Sequence, residues 1–303
     1  RIVQPVGAAK LIGKIGGTDV AVLSALDGDK YSASTKDHPL FNILRLRRDL
    51  GSQSNLGFVL TDRREGSKFN RVAAIDGRFV FGGVYNMAFQ VGGSLTDSAT
   101  GRGSEGGELW EASLDRSGRN YGFRNSIRGL SAGFSAAAGF VNRTNLVELN
   151  ANQRYTFFGA RGSRLEQVMM FLSGGSTWTY GDFMNGERPR EMRLSLSNSF
   201  TLLGGWSLSV TPTVTSDEFN AADYTSYYAI RKAGAATDTL PFTTGPKVFG
   251  LQWQARVSTP QFSRFAASLS STYGTDAEYF ETARARRLDV SANLDWRPTQ
   301  KVR

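Results

Sequence analysis

Alternation with a period of two constrains this chain more than any other feature, because successive side chains of a β-strand point to opposite faces. From residue 206 to 215, Trp206, Leu208, Val210, Pro212 and Val214 fall on one side, and Ser207, Ser209, Thr211, Thr213 and Thr215 on the other. Residues 249–258 repeat this, with Phe249, Leu251, Trp253, Ala255 and Val257 against Gly250, Gln252, Gln254, Arg256 and Ser258. Farther on, Leu288, Val290, Ala292, Leu294 and Trp296 oppose Asp289, Ser291, Asn293 and Asp295. Weaker copies set Trp110, Ala112 and Leu114 against Glu111, Ser113 and Asp115, and Val147, Leu149, Ala151, Tyr155 and Phe157 against Glu148, Asn150, Asn152, Arg154 and Thr156. About fifteen such segments start near positions 8, 18, 40, 55, 71, 84, 107, 120, 147, 164, 190, 205, 247, 264 and 286. Many run for about nine to eleven residues, the length of a tilted membrane-spanning strand.

A soluble β-sandwich also alternates, so strand number and the aromatic positions decide. Open sheets rarely exceed about ten strands. The apolar rows also carry Trp206, Trp253, Tyr273 and Trp296 toward their ends, as interfacial girdles do. The expected fold is therefore all-β: a transmembrane antiparallel up-and-down β-barrel filling residues 1–303 as one domain, with about 15 strands of a barrel of 16 or more. No run of eighteen apolar residues is present to make a transmembrane helix. Arg1-Ile2-Val3-Gln4-Pro5 is not the apolar heart of an export signal, so such a signal is expected upstream or removed, and the bacterial outer membrane is the expected location.

Connections alternate in length. Gly16-Gly17, residues 50–54, Gly82-Gly83, residues 117–119, 158–163, Gly204-Gly205 and residues 259–263 read as short, the Gly pairs supplying the positive φ of two-residue hairpins. Residues 27–39, 64–70, 95–106, 129–146, 182–189, 216–246 and 275–285 read as long. Short turns then belong to the periplasm and long loops to the exterior. With that direction, the strand after residue 8 runs toward the periplasm. Single-chain barrels have even strand numbers, so an odd number of strands is expected before residue 8. Arg297-Pro298-Thr299-Gln300 reads as a further periplasmic turn and Val302-Arg303 as the start of another strand, leaving an even number after residue 297.

The net charge of +9 raises the question of nucleic acid. The cations are scattered in pairs such as Arg47-Arg48, Arg63-Arg64 and Arg286-Arg287 near segment ends, the distribution of a barrel mouth, and no nucleic acid partner is expected. The absence of Cys removes thiolate chemistry and a disulfide framework.

Three features imitate catalytic or ligand motifs. His38, the sole histidine, would need a nucleophile such as Ser32 or Ser34 beside it. The Gly101–Gly106 run sits between strands, where a phosphate loop opens a helix. Asp27-Gly28-Asp29 lacks the remaining ligands of a calcium loop. No catalytic residue, metal or cofactor is expected, and the chain reads as a non-enzyme.

The polar rows carry the more informative candidates. Arg45, Arg47, Arg63, Arg78, Arg154 and Arg256 are expected to face the lumen, where rings of Arg would favour anions. Glu111, Asp115, Glu148, Asp289 and Asp295 offer partners, and paired filling is the weightier alternative because half-buried charges need partners. Outward cations near the loops would meet lipopolysaccharide phosphates.

The stretch Gly7-Ala8-Ala9-Lys10-Leu11-Ile12-Gly13-Lys14 resembles the "GAKLTGK" element of a large, functionally uncharacterised family of bacterial outer-membrane proteins. Residues 44–51 (Leu-Arg-Leu-Arg-Arg-Asp-Leu-Gly) and the run 137–145, with Gly139-Phe140-Val141-Asn142-Arg143-Thr144, are similar to it as well. The resemblance covers most of the chain and lies within the barrel part. It implies an upstream carbohydrate-binding domain of the family-nine type and glycans among the partners, but carries no site residues. Two readings of function follow: a channel or transport component linked to carbohydrate uptake or binding, or a membrane anchor with a plugged lumen that displays a binding domain or external loops.

Overall fold

The computed structural model describes residues 5–32, 37–97, 103–233 and 236–297. Fifteen strands form one antiparallel sheet in chain order, and two further strands form a separate hairpin. The chain divides into two compact units. The first holds β1 (Pro5–Ile15), β2 (Thr18–Asp27), β3 (Leu40–Leu50), β4 (Ser54–Glu65), β5 (Lys68–Phe81), β6 (Tyr85–Asp97) and β7 (Glu105–Ser117). It also holds most of β8 (Tyr121–Leu130), the start of β9 (Leu146–Phe158) and a short helix α1 (Tyr180–Met184). The second contains the rest of β9, β10 (Leu165–Trp178), β11 (Glu191–Leu202), β12 (Trp206–Asp217), the hairpin β13 (Tyr228–Ala233) and β14 (Ala236–Pro241), β15 (Val248–Ser258), β16 (Phe265–Glu278) and β17 (Ala283–Trp296).

All fifteen expected segments are strands of the sheet, each starting within three residues of its expected position. At the ends of the sheet order β1 is laddered to β2 and β17 to β16. The Gly pairs act as expected: Gly16 and Gly17 have φ of 51° and 79°, the left-handed geometry of a two-residue hairpin.

The strict contrast of loop lengths needs correction. Residues 64–70 are not a loop, because β4 runs to Glu65 and β5 starts at Lys68, joined by Gly66-Ser67 with Gly66 at φ 58°. Polar side chains at both strand ends masked this tight turn. The 275–285 connection shrinks to residues 279–282 between β16 and β17. The 216–246 segment is structured, with a single 3-10 turn (Ala221–Tyr224) and the β13–β14 hairpin. The 182–189 segment overlaps α1, whose Thr179 hydroxyl accepts from the Asp182 N–H. Ser34, Gly101, Arg102, the turn at 298–300 and Val302-Arg303 lie outside the described residues.

Each strand presents two unlike faces. Directly opposed residues of an antiparallel ladder share a face, so Pro212 and Trp253, Val214 and Leu251, and Val257 and Leu269 form apolar rows across β12, β15 and β16. These belong to interior strands, yet Trp253 and Val214 are each 51% exposed. Several aromatics gather toward the short-turn ends of this face, whereas Trp253 and Tyr273, expected at strand ends, face each other at mid-strand. In the first unit Phe81 stacks on Tyr85 at 5.4 Å. In the second, Tyr155 lies 4.5 Å from Phe157, and Phe262 sits between Trp206 and Phe265 at 6.4 and 4.8 Å. At the opposite strand ends of the first unit, Trp110 meets Tyr180 and Phe183 of α1. Gly129 makes room for the Trp110 ring, since a Cβ there would come within 2.3 Å of it.

Candidate functional site

The registers of β2 to β6 place Arg45, Arg47, Arg63 and Arg78 on one face, opposite the apolar rows. Each finds a partner there. Arg45 reaches diagonally over β4 to grip Asp76 with both guanidinium nitrogens, one bond measuring 2.8 Å. Gly57 lies beneath this bridge, where a Cβ would stand 2.6 Å from Arg45 and 2.8 Å from Asp76. Arg47 binds Asp19 at 2.7 Å, and Lys14 bridges Asp19 and Asp49. Arg63 pairs with Glu65, a buried carboxylate that also accepts from the Ser32 hydroxyl at 2.8 Å. Arg78 donates to Asn86 at 2.8 Å, Asn86 to Asp115 at 3.2 Å, and Arg124 pairs with Asp115 at 2.9 Å. This part of the polar face is a belt of compensated charge. The four arginines are each partnered, three by carboxylates and Arg78 by the Asn86 amide.

Arg154 and Arg256 belong to the second unit. Arg154 donates to Thr156 on its own strand at 3.1 Å. Arg256 donates to Ser268 and Ser258 at 3.4 and 3.5 Å. The face around Arg256 has a different chemistry from the charged belt. One row crosses the strands as Ser199, Ser209, Arg256, Ser270 and Ser291. The next runs Thr201, Ser207, Ser258, Ser268 and Asn293. In a third, Thr211 donates to Ser197 at 3.0 Å and stands opposite Gln254, which stands opposite Thr272.

The largest feature missed by the sequence reading is a strap. The 131–145 connection between β8 and β9 folds back onto the polar face of β5, β6 and β7. Asn70 of β5, 3% exposed, donates to the Ser135 carbonyl at 2.9 Å and accepts from the Ala137 N–H at 2.7 Å. Ser94 of β6 accepts from the Ser135 N–H at 3.0 Å. Backbones touch beneath the strap, since a Cβ on Gly107 of β7 would sit 2.0 Å from the Phe134 nitrogen. Phe134 then closes a small core with Leu130 and Leu146, flanked by Val72, Leu109, Ala136 and Val141. Phe140 is left 89% exposed. The small residues Ser131, Ala132, Gly133, Ala136, Ala137 and Ala138 were the available clue, because only short side chains permit so close an approach.

Two of the motif imitations, at His38 and at Asp27-Gly28-Asp29, take part in structural contacts. The His38 Nδ1 lies 2.9 Å from the Asp27 carbonyl oxygen, and the Ser32 hydroxyl is committed to Glu65. Asp27 caps the Gly28 N–H at 3.0 Å. Among the described residues no group of three or more His, Cys, Asp or Glu side chains is placed to hold a metal ion. At the loops of the second unit, burial and a hydrogen bond to Asp217 push the Tyr279 hydroxyl well above its ordinary titration range. No family model matches the chain, and no curated protein proves similar to it.

Proposed function

We propose that the chain forms the wall of an outer-membrane β-barrel, of 16 or more strands when closed, that admits solutes along its polar face past the 131–145 strap. The carrying observation is the opposition of the two faces: paired charges and hydroxyls on one, exposed Leu, Val, Ile and aromatic side chains on the other. A soluble protein rarely leaves more than a few hundred Å² of contiguous apolar surface uncovered. Lipid covers such a face without a partner protein. The aromatic clusters at strand ends suit the interfacial girdles, with Arg116 over Tyr85 and Arg119 over Phe158 as cations at lipid-phosphate level.

Fractionation of cells expressing the full chain behind an export signal tests the location, and conductance of the purified protein in planar bilayers tests the path. Recovery with outer membranes and a stable single-channel current are expected. A soluble, lipid-free monomer would overturn the reading. A second reading, an anchor with a plugged interior, draws on the strap and on the paired Arg45, Arg47 and Arg63. It predicts outer-membrane recovery without conductance. Lipopolysaccharide as a partner, and the glycan link implied by the family resemblance, belong to the same proposal. Binding of the full-length protein to immobilised glycans tests the latter.

A further inference from the structure

The hydroxyl rows on β11, β12, β15, β16 and β17 have no counterpart in the charged belt, and their chemistry selects a class of solute. We propose that they form a track for uncharged, hydroxyl-rich solutes, which makes the pore only weakly selective among ions. This rests on the pore reading above and adds the solute class to it.

A Ser or Thr hydroxyl both donates and accepts, and a Gln side chain offers both functions at its tip. A solute hydroxyl can therefore exchange a water for Thr211, Gln254 or Thr272 in either sense without creating an unpaired group, the condition under which leaving water costs least. Positions of one row on neighbouring strands lie about 4.8 Å apart, and successive rows along a strand about 6.8 Å apart. A polyol longer than one such step always has a next wall group within reach before it releases the last.

Ions gain little from this surface. Sign selectivity needs a ring of one charge or a converging set of carbonyls. The charges in and beside these rows are Arg256, held by two serines, and Arg287, paired with Asp289 and Asp276. Two of each sign give no net preference. The wall groups are accessible as well, with Gln254 exposed and Ser197, Ser199, Thr211, Ser270 and Thr272 half-buried.

The test uses the full chain in planar bilayers and in liposomes, with erythritol and sorbitol as probes. Expected are a reversal potential close to zero in a steep KCl gradient, liposome swelling in either polyol, and reversible polyol block of the ionic current. The triple substitution Thr211→Val, Gln254→Leu, Thr272→Val should weaken the block about tenfold, the loss of roughly one to two net hydrogen bonds. Thr211→Ser should retain it, which separates lost chemistry from lost folding. A reversal potential near the single-ion limit without polyol swelling would leave the pore standing and overturn the solute class. Neither current nor swelling, from protein that shows the heat-modifiable gel mobility of a folded barrel, would overturn the pore reading and this inference together.

Discussion

Both ends of the Asn70 amide are engaged by the strap, which makes this side chain a direct handle on it. Asn70→Leu keeps the volume and removes both functions, leaving the Ser135 carbonyl and the Ala137 N–H to find water. An unsatisfied buried group costs about 1–3 kcal/mol, enough to lift a surface segment. Trypsin should then cut at exposed Arg143 several-fold faster in the variant, and equal digestion rates would show that Asn70 does not hold the strap. The Arg45–Asp76 bridge invites a different experiment. Removing one partner of a half-buried pair strands the other, whereas replacing both with apolar groups can be neutral. Arg45→Met should lower the urea midpoint, and Arg45→Met with Asp76→Leu should recover most of the loss. Additive losses would mean that the two groups act independently.

At the scale of elements, the fifteen strands were legible because each has to divide its side chains between two unlike surroundings, and that division is written residue by residue, as in Trp206 to Thr215. Where the backbone's partners lie far off in sequence, the signal fails. The strap depends on Asn70 and Ser94, which sit 67 and 41 residues upstream of the backbone N–H groups they accept from and look like any polar residue of an alternating strand. The Gly66-Ser67 turn was hidden for the opposite reason, since charged residues on both flanks imitate a loop. The partner of Arg45 was not legible, because Asp76 lies beyond an intervening strand that only Gly57 allows Arg45 to cross. The loops of the second unit carry their own prediction. Tyr224 donates to the Tyr279 carbonyl at 2.7 Å, and Tyr279 donates to Asp217 at 2.9 Å. With its folded-state titration raised, Tyr279 keeps its proton where the unfolded chain loses it, so its contribution is complete below about pH 10 and is lost as pH rises beyond that. Tyr279→Phe should flatten the alkaline fall in stability, and an unchanged alkaline limb would place its cause elsewhere.

For the whole molecule the decisive question is what covers the apolar face. In β12 that face runs from Trp206 to Val214, eight steps or about 27 Å along the strand. A barrel tilt of about 40° reduces this to about 21 Å across a membrane, close to the ~25 Å apolar band of outer-membrane barrels. The same span would be arbitrary in water. Val210 lies at its middle, and its neighbour Thr211 points to the other face, so a single residue separates the two environments. If lipid covers the face, Val210→Lys places a charge near the bilayer midplane and should cost about 2–4 kcal/mol, while Thr211→Lys, on a wet polar face, should cost little. Folding titrations into lipid vesicles measure both. The pair is informative because charge, strand and sheet register are held constant while only the facing changes. Equal costs would mean that the two faces meet the same medium, and the barrel reading would fall with them. A large cost at Val210 alone would fix the outward direction of every strand laddered to β12, because the registers leave no residue free to choose its face independently.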